Sequence, residues 1–340
     1  MVNRSLDLDP NDAMNWVIHG KLDPAGRIDE SGRQTFAKVR AAELAPESAL
    51  VQFELGDYLL LREPERAKLA FQQTIALSPR HFRAYLGLAY TSSLDETADV
   101  EPYYKKAVEL APGFLDGRMA LGSYYGGVDE IENAAEQYRA ALSANPKFDV
   151  AEFRLGLLEL YVGKPDDAEK HFRAAADLNP EGYEAYYYLG NIAHNRGELD
   201  KGQLLYEQAL KYRTNYVEPT YGLGLVFQLQ GKTDLALEQF EKVLKILPSY
   251  PAALKSRGAI RVERRQFADA LSDFQLAISS YQQQIKLLDT RIANAAARPQ
   301  SRLAAADGKR AAKEKSEIEQ QLKTAQAFRS AVEQELRTIP

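Results

Sequence analysis

Prolines that close short apolar segments recur along this chain at a nearly fixed interval. Pro46, Pro79, Pro112, Pro146, Pro180 and Pro248 stand 33, 33, 34, 34 and 68 residues apart, with Thr214 where the missing one would fall. A glycine series runs in step: Gly20, Gly56, Gly87, Gly122, Gly156, Gly190, Gly224 and Gly258, the last five spaced by 34. Self-similarity of this period means one small supersecondary motif repeated, each copy burying its apolar face against its neighbours. The 340 residues therefore need no set of separate globular domains.

Each repeat holds two amphipathic stretches parted by a polar turn, such as Gly163-Lys164-Pro165-Asp166-Asp167 or Gly197-Glu198-Leu199-Asp200. In six of the eight a leucine precedes the glycine: Leu55, Leu86, Leu121, Leu155, Leu189 and Leu223. The second stretch carries a small residue, an aromatic four on and a small residue three further. Ala134/Tyr138/Ala141, Ala168/Phe172/Ala175, Gly202/Tyr206/Ala209, Ala236/Phe240/Val243 and Ala270/Phe274/Ala277 all fit. Steps of four and three keep such a trio on one helix face.

The period and the Leu-Gly, Ala, aromatic, Ala, Pro pattern resemble the tetratricopeptide repeat (TPR) family over about residues 3–282. The resemblance implies an all-α chain: a right-handed α-solenoid of about eight TPR helix pairs with a concave inner surface. Repeats are expected near 11–46, 47–79, 80–112, 113–146, 147–180, 181–214, 215–248 and 249–282. The end repeats depart from the pattern. His19 replaces the leucine in the first, where Asp23-Pro24-Ala25-Gly26 also intrudes and the second helix lacks its aromatic. Arg257 precedes Gly258 in the last, a polar drift expected where a neighbour stands on one side only. Leu6-Asp7-Leu8-Asp9-Pro10 reads as the tail of a further repeat, since Pro10 to Gly20 is the same step as Pro112 to Gly122. The expectation is that a longer natural protein precedes it.

After Ala277 the pattern becomes continuous helix, with Phe274, Ile278, Tyr281, Ile285, Leu288 and Ile292 in a heptad stripe. Ala297-Arg298-Pro299-Gln300 should break it, and Ile318, Leu322, Ala325, Phe328, Val332 and Leu336 resume it more weakly. An antiparallel helical hairpin is expected over 283–340, with helices near Gln266–Ala296 and Lys309–Thr338. It either caps the solenoid or pairs with a second copy of the chain. Residues 283–340 hold 11 Lys/Arg against 7 Asp/Glu. The cations gather near the tip at Arg298, Arg302, Lys309, Arg310, Lys313 and Lys315, as a contact for an acidic partner or membrane surface or simply as a solvated tip.

Chemistry for catalysis is not visible. Zero cysteines remove disulfides, Cys-based metal sites and thiol catalysis, and suit cytoplasm and periplasm equally. His19, His81, His171 and His194 lie in different repeats without metal-binding spacing. Gly231-Lys232-Thr233 resembles the end of a phosphate-binding loop, but Gly224 lies seven residues upstream where five are required. Gly126-Gly127 reads as a turn between helices. No cofactor or metal is expected. A net charge of −5 argues against nucleic acid, and no apolar run reaches the length of a membrane span.

The family resemblance puts the inner groove on the first helix of each pair, three residues before the glycine and one after it. The earlier position gives Val17, Phe53, Ala84, Met119, Phe153, Tyr187, Tyr221 and Lys255; the later gives Lys21, Asp57, Leu88, Ser123, Leu157, Asn191, Leu225 and Ala259. The Lys/Arg and Asn clamp of chaperone-binding relatives is missing. An apolar and aromatic stripe takes its place, densest at Phe153, Leu157, Tyr187, Tyr221 and Leu225, with Asn191, His194 and Asn195 as a polar island. The same rings can instead pack between adjacent first helices. The expected function is a non-catalytic protein-interaction scaffold that binds a partner's peptide or helix through this stripe. The alternatives are a homo-oligomer joined through the hairpin, or the recruiting region of a larger enzyme.

Overall fold

The structure, a computed structural model, describes residues 13–14, 27–28, 34–35, 37–95 and 98–338. The expectations for Leu6–Pro10, Val17, His19, Gly20, Lys21 and Asp23–Gly26 lie outside these residues. Two short strands, β1 (Arg27–Ile28) and β2 (Gln34–Thr35), pair antiparallel. They stand inside the stretch where the first helix pair was expected. Everything else that is regular among the described residues is helical. The order is α1 (Ala37–Leu44), α2 (Ala49–Leu59), α3 (Pro64–Leu77), α4 (Phe82–Ser92), α5 (Glu101–Leu110), α6 (Leu115–Gly127), α7 (Ile131–Ala144) and α8 (Asp149–Tyr161). It continues with α9 (Pro165–Leu178), α10 (Tyr183–Asn195), α11 (Leu199–Tyr212), α12 (Val217–Leu229), α13 (Thr233–Ile246), α14 (Pro251–Glu263), α15 (Phe267–Ala296) and α16 (Arg302–Thr338).

The repeat core is built as the sequence pattern requires. Phe172, Tyr206, Phe240 and Phe274 are fully buried, as are Ala168, Ala209, Ala236, Val243, Ala270 and Ala277 around them. Each aromatic lies against the glycine of its own first helix. A Cβ on Gly156 or Gly190 would stand 2.7 Å from the ring of Phe172 or Tyr206, so only glycine lets the two helices close. The turns between paired helices share one left-handed residue, 34 positions apart each time: Asp129, Gly163, Gly197, Gly231 and Arg265. Along this edge side chains tie neighbouring repeats together, Arg196 to Asp166, Gln230 to Asp200 (3.0 Å) and Arg264 to Asp234.

The third repeat is shifted in register. Gly87 is not its counterpart of Gly56 or Gly190; the buried Ala89 is, since Pro79 to Ala89 is the same ten-residue step as Pro46 to Gly56. Gly87 instead lets the Phe71 ring of the preceding repeat approach, as Gly222 does for Tyr206. In the last repeat, Arg257 makes a bidentate bond to Asp273 (2.9 and 2.6 Å), which Arg261 also contacts at 2.7 Å. The polar residue before Gly258 is thus part of a buried ion triad.

The chain divides into two compact units, Met1–Tyr125 and Gly126–Pro340. Unit 2 contains the C-terminal hairpin. Its first arm, α15, is one unbroken 30-residue helix that serves as second helix of the last repeat and then continues. Its second arm, α16, starts at Arg302, well before Lys309, because the Ser301 hydroxyl accepts the Ala304 amide (3.1 Å) and caps the helix there. Phe274, Ile278, Tyr281 and Leu288 of the first stripe are buried, as are Ala325 and Val332 of the second.

Candidate functional site

The predicted groove residues of unit 2 come from three first helices, and each repeats one arrangement. Phe153 on α8 leans on Phe172, with ring centroids 5.6 Å apart; Tyr187 on α10 leans on Tyr206 (6.4 Å), and Tyr221 on α12 leans on Phe240 (5.6 Å). Each ring therefore rests one edge on the architectural aromatic of its own repeat and is half-buried, neither core nor free surface. Tyr187 also meets Tyr188 and Tyr216, and Tyr221 meets Tyr250. Burial raises the phenol pKa values of Tyr187 and Tyr221, and pushes Tyr250 up to about 12, so all three stay protonated donors at neutral pH.

The polar island is less available than its sequence suggested. The Asn191 carbonyl oxygen accepts the Tyr206 hydroxyl at 2.7 Å. Burial lowers the His194 pKa and favours the neutral imidazole, while Asn195 is exposed. Leu157 packs beside Phe172 and Ile192, and Leu225 packs on the cluster of Leu223, Phe240 and Tyr281.

That cluster also receives Ile318, Leu322 and the buried Ala325 of α16, together with Tyr187 and Tyr221. The Lys255 ammonium, at the groove position of α14, meets Gln321 of the same helix; burial lowers its pKa. Further along, Arg310 donates to the carbonyl oxygens of Gly127 (3.0 Å) and Gly126 (3.4 Å) at the end of α6, and Arg302 pairs with Glu130. The hairpin thus returns from the last repeat of unit 2 to its first turn. Part of the cationic tip is bound by its own chain.

Unit 1 holds a separate cavity of about 800 Å³ on its own first helices. Phe53, Asp57 and Leu60 of α2 and Arg83, Leu86 and Tyr90 of α4 line it, with Asp116 beyond and the Lys38–Glu54 ion pair (3.0 Å) at one side. The groove positions assigned from Gly87, Ala84 and Leu88, are buried instead. The two-residue shift puts Leu86 and Tyr90 there, and the proline spacing alone would have located them. Among the described residues no helix is long and apolar enough to cross a membrane, and no cluster of three or more His, Asp or Glu is placed to hold a metal ion.

Comparison with known families agrees with this geometry. The description "Tetratricopeptide repeat" matches residues 115–148, 153–216 and 221–285, and the chain carries tetratricopeptide repeats there. Repeats of this family typically serve as non-catalytic scaffolds that bind protein partners, and the chain is a protein-interaction scaffold. Among solved structures, PilF of Pseudomonas aeruginosa is 16% identical, covering 64% of this chain and 98% of that one with a TM-score of 0.55. A tetratricopeptide repeat protein of Parabacteroides merdae is 18% identical, covering 68% and 93%, with a TM-score of 0.52. MamA is 26% identical over 49% of this chain and 97% of its own, with a TM-score of 0.45. No curated protein sequence matches.

Proposed function

We propose that the concave face of unit 2 binds an amphipathic helix or apolar peptide of a partner protein through Phe153, Leu157, Tyr187, Asn191, His194, Tyr221 and Leu225. The observation that carries this reading is the seating of α16. An amphipathic helix already lays Ile318, Leu322 and Ala325 on the cluster to which Tyr187, Tyr221 and Leu225 contribute. Helix-in-groove recognition uses such spacing, with apolar anchors every three or four residues. Half-buried tyrosines supply large contact area at low side-chain entropy cost and keep a donor for the ligand backbone. On this reading the repeats up to residue 282 carry the binding surface and residues 283–340 form a separate hairpin element.

A ligand selected from a displayed peptide library supplies the probe, and calorimetry compares the native chain with Tyr187→Ala/Tyr221→Ala. Loss of two half-buried rings should weaken binding at least tenfold, about 1.4 kcal/mol or more. Unchanged affinity, with the helical circular dichroism intact, rules the groove out.

A further inference from the structure

We propose that the C-terminal hairpin is a detachable clasp, rooted in the last repeat of unit 2, whose cationic tip docks on and releases from the end of α6 at Gly126–Glu130. Three parts of the hairpin differ in how they are held. The root is buried: Phe274, Ala277, Ile278 and Tyr281 of α15 and Ala325 and Val332 of α16 pack together, with Phe328 stacked on Phe274 at 5.7 Å. The arm is stiff. Ala295, Ala304 and Ala311 are buried between its helices, and a Cβ on Gly308 would stand 2.8 Å from that of Ala295. Arg291 bridges to Asp307 (2.6 Å) and Glu314 (3.3 Å), and Lys315 to Asp289 (2.6 Å).

The tip is held differently. Leu303, Ala306 and Arg310 share one face of α16, three and four residues apart, turned away from the Ala304, Gly308 and Ala311 face that meets α15. Leu303 reaches Gly127, where a Cβ would stand 3.0 Å from its methyl group. Arg310 donates to the Gly126 and Gly127 carbonyls at the end of α6, where the Gly126 oxygen also accepts the Asp129 amide at 3.4 Å. A guanidinium there also meets the negative end of the helix dipole. The half-exposed Arg302–Glu130 pair completes the contact. Charged contacts of this exposed kind are weak and screened by salt, while the apolar root is not. The tip is therefore the part that separates first, by flexing of the repeats between α6 and α15 while the arm stays folded. The consequence for partner access rests on the groove reading above, but the clasp itself does not.

The chain has no cysteine, so paired labels can be placed cleanly. Spin labels at Gln300→Cys and Glu132→Cys, both exposed, report the tip-to-α7 distance in the full chain by pulsed electron resonance. One short distance is expected at low salt. In 1 M sodium chloride, and in Leu303→Asp/Arg310→Glu, a broader and longer distribution should appear, and hydrogen-exchange protection over 302–310 should fall about tenfold. Gly127→Leu, which fills the pad and leaves the tip intact, should act alike. A distribution unmoved by salt and by both variants overturns the clasp. Unchanged peptide affinity in Tyr187→Ala/Tyr221→Ala overturns the groove reading alone and leaves the clasp standing.

Discussion

Units 1 and 2 are made from the same repeat, yet their concave faces end in different states. In unit 1 the first helices α2 and α4 leave an open cavity between Phe53, Leu60, Leu86 and Tyr90. In unit 2 the first helix α14 meets α16 through Lys255 and Gln321, and α16 joins the aromatic cluster and reaches back to the α6 terminus. The repeat itself does not set this difference. It follows from α15, whose 30 residues carry the chain past the end of the last repeat and send it back.

The largest effect that would sharpen the contrast concerns the buried acid in each unit. Asp273 is 1% exposed and held by two guanidiniums; Glu54 pairs with Lys38 at the side of an open cavity. Asp273→Ala leaves two partly buried guanidiniums without their shared acid and should cost about 3–5 kcal/mol. Glu54→Ala should cost about 2 kcal/mol, because one cation rather than two loses its partner and Lys38 keeps Asp57 at 3.9 Å. Equal losses on chemical denaturation would break the distinction between the two environments.

A smaller effect separates the units by pH. Burial of Glu169 works to raise its pKa, but hydrogen bonds from Arg173, Arg196 and Lys201 outweigh it and hold the carboxyl at about 2 against the usual 4.5. A folded-state pKa below the unfolded one gives stability that is complete above pH 4.5 and lost as pH falls toward 2. After allowance for its exposed partners the contribution is about 2 kcal/mol. Glu169→Gln should therefore flatten the acid limb of unit 2 denaturation between those pH values, and an unaltered limb would remove Glu169 from the account.

The smallest effect tests the shared turn. Gly197→Ala places a Cβ at φ +75° and should cost about 1 kcal/mol. Arg265→Gly, at φ +59° in the last repeat, should change stability by no more than a few tenths of a kcal/mol, relief of strain being offset by the freer unfolded chain. A loss in Arg265→Gly as large as that in Gly197→Ala would show that the last turn depends on more than its backbone conformation.

Much of the fold is legible in sequence because the repeat is local. Glycine against aromatic, small residues at steps of four and three, and proline after the second helix all act within one repeat or between neighbours, so pattern and contact coincide. The same locality holds on the first helices: Phe153, Tyr187 and Tyr221 each lean on the buried aromatic of their own repeat. Errors arise where one residue type serves two positions. Gly87 and Gly122 look alike in sequence, but Gly87 accommodates a ring from the previous repeat, and the groove residues of α4 move accordingly. Asn191 reads as a free ligand contact although Tyr206 occupies its carbonyl oxygen, a pairing across fifteen residues.

By itself, then, the sequence determined the helix pairs, their spacing and the aromatic at the centre of each, because short-range packing enforces them. Tertiary structure alone decided where the hairpin goes. The contact of Arg310 with Gly127 joins positions 183 residues apart. No periodicity encodes such a contact: it depends on the summed curvature of every repeat between them and on the length of one stiff helix.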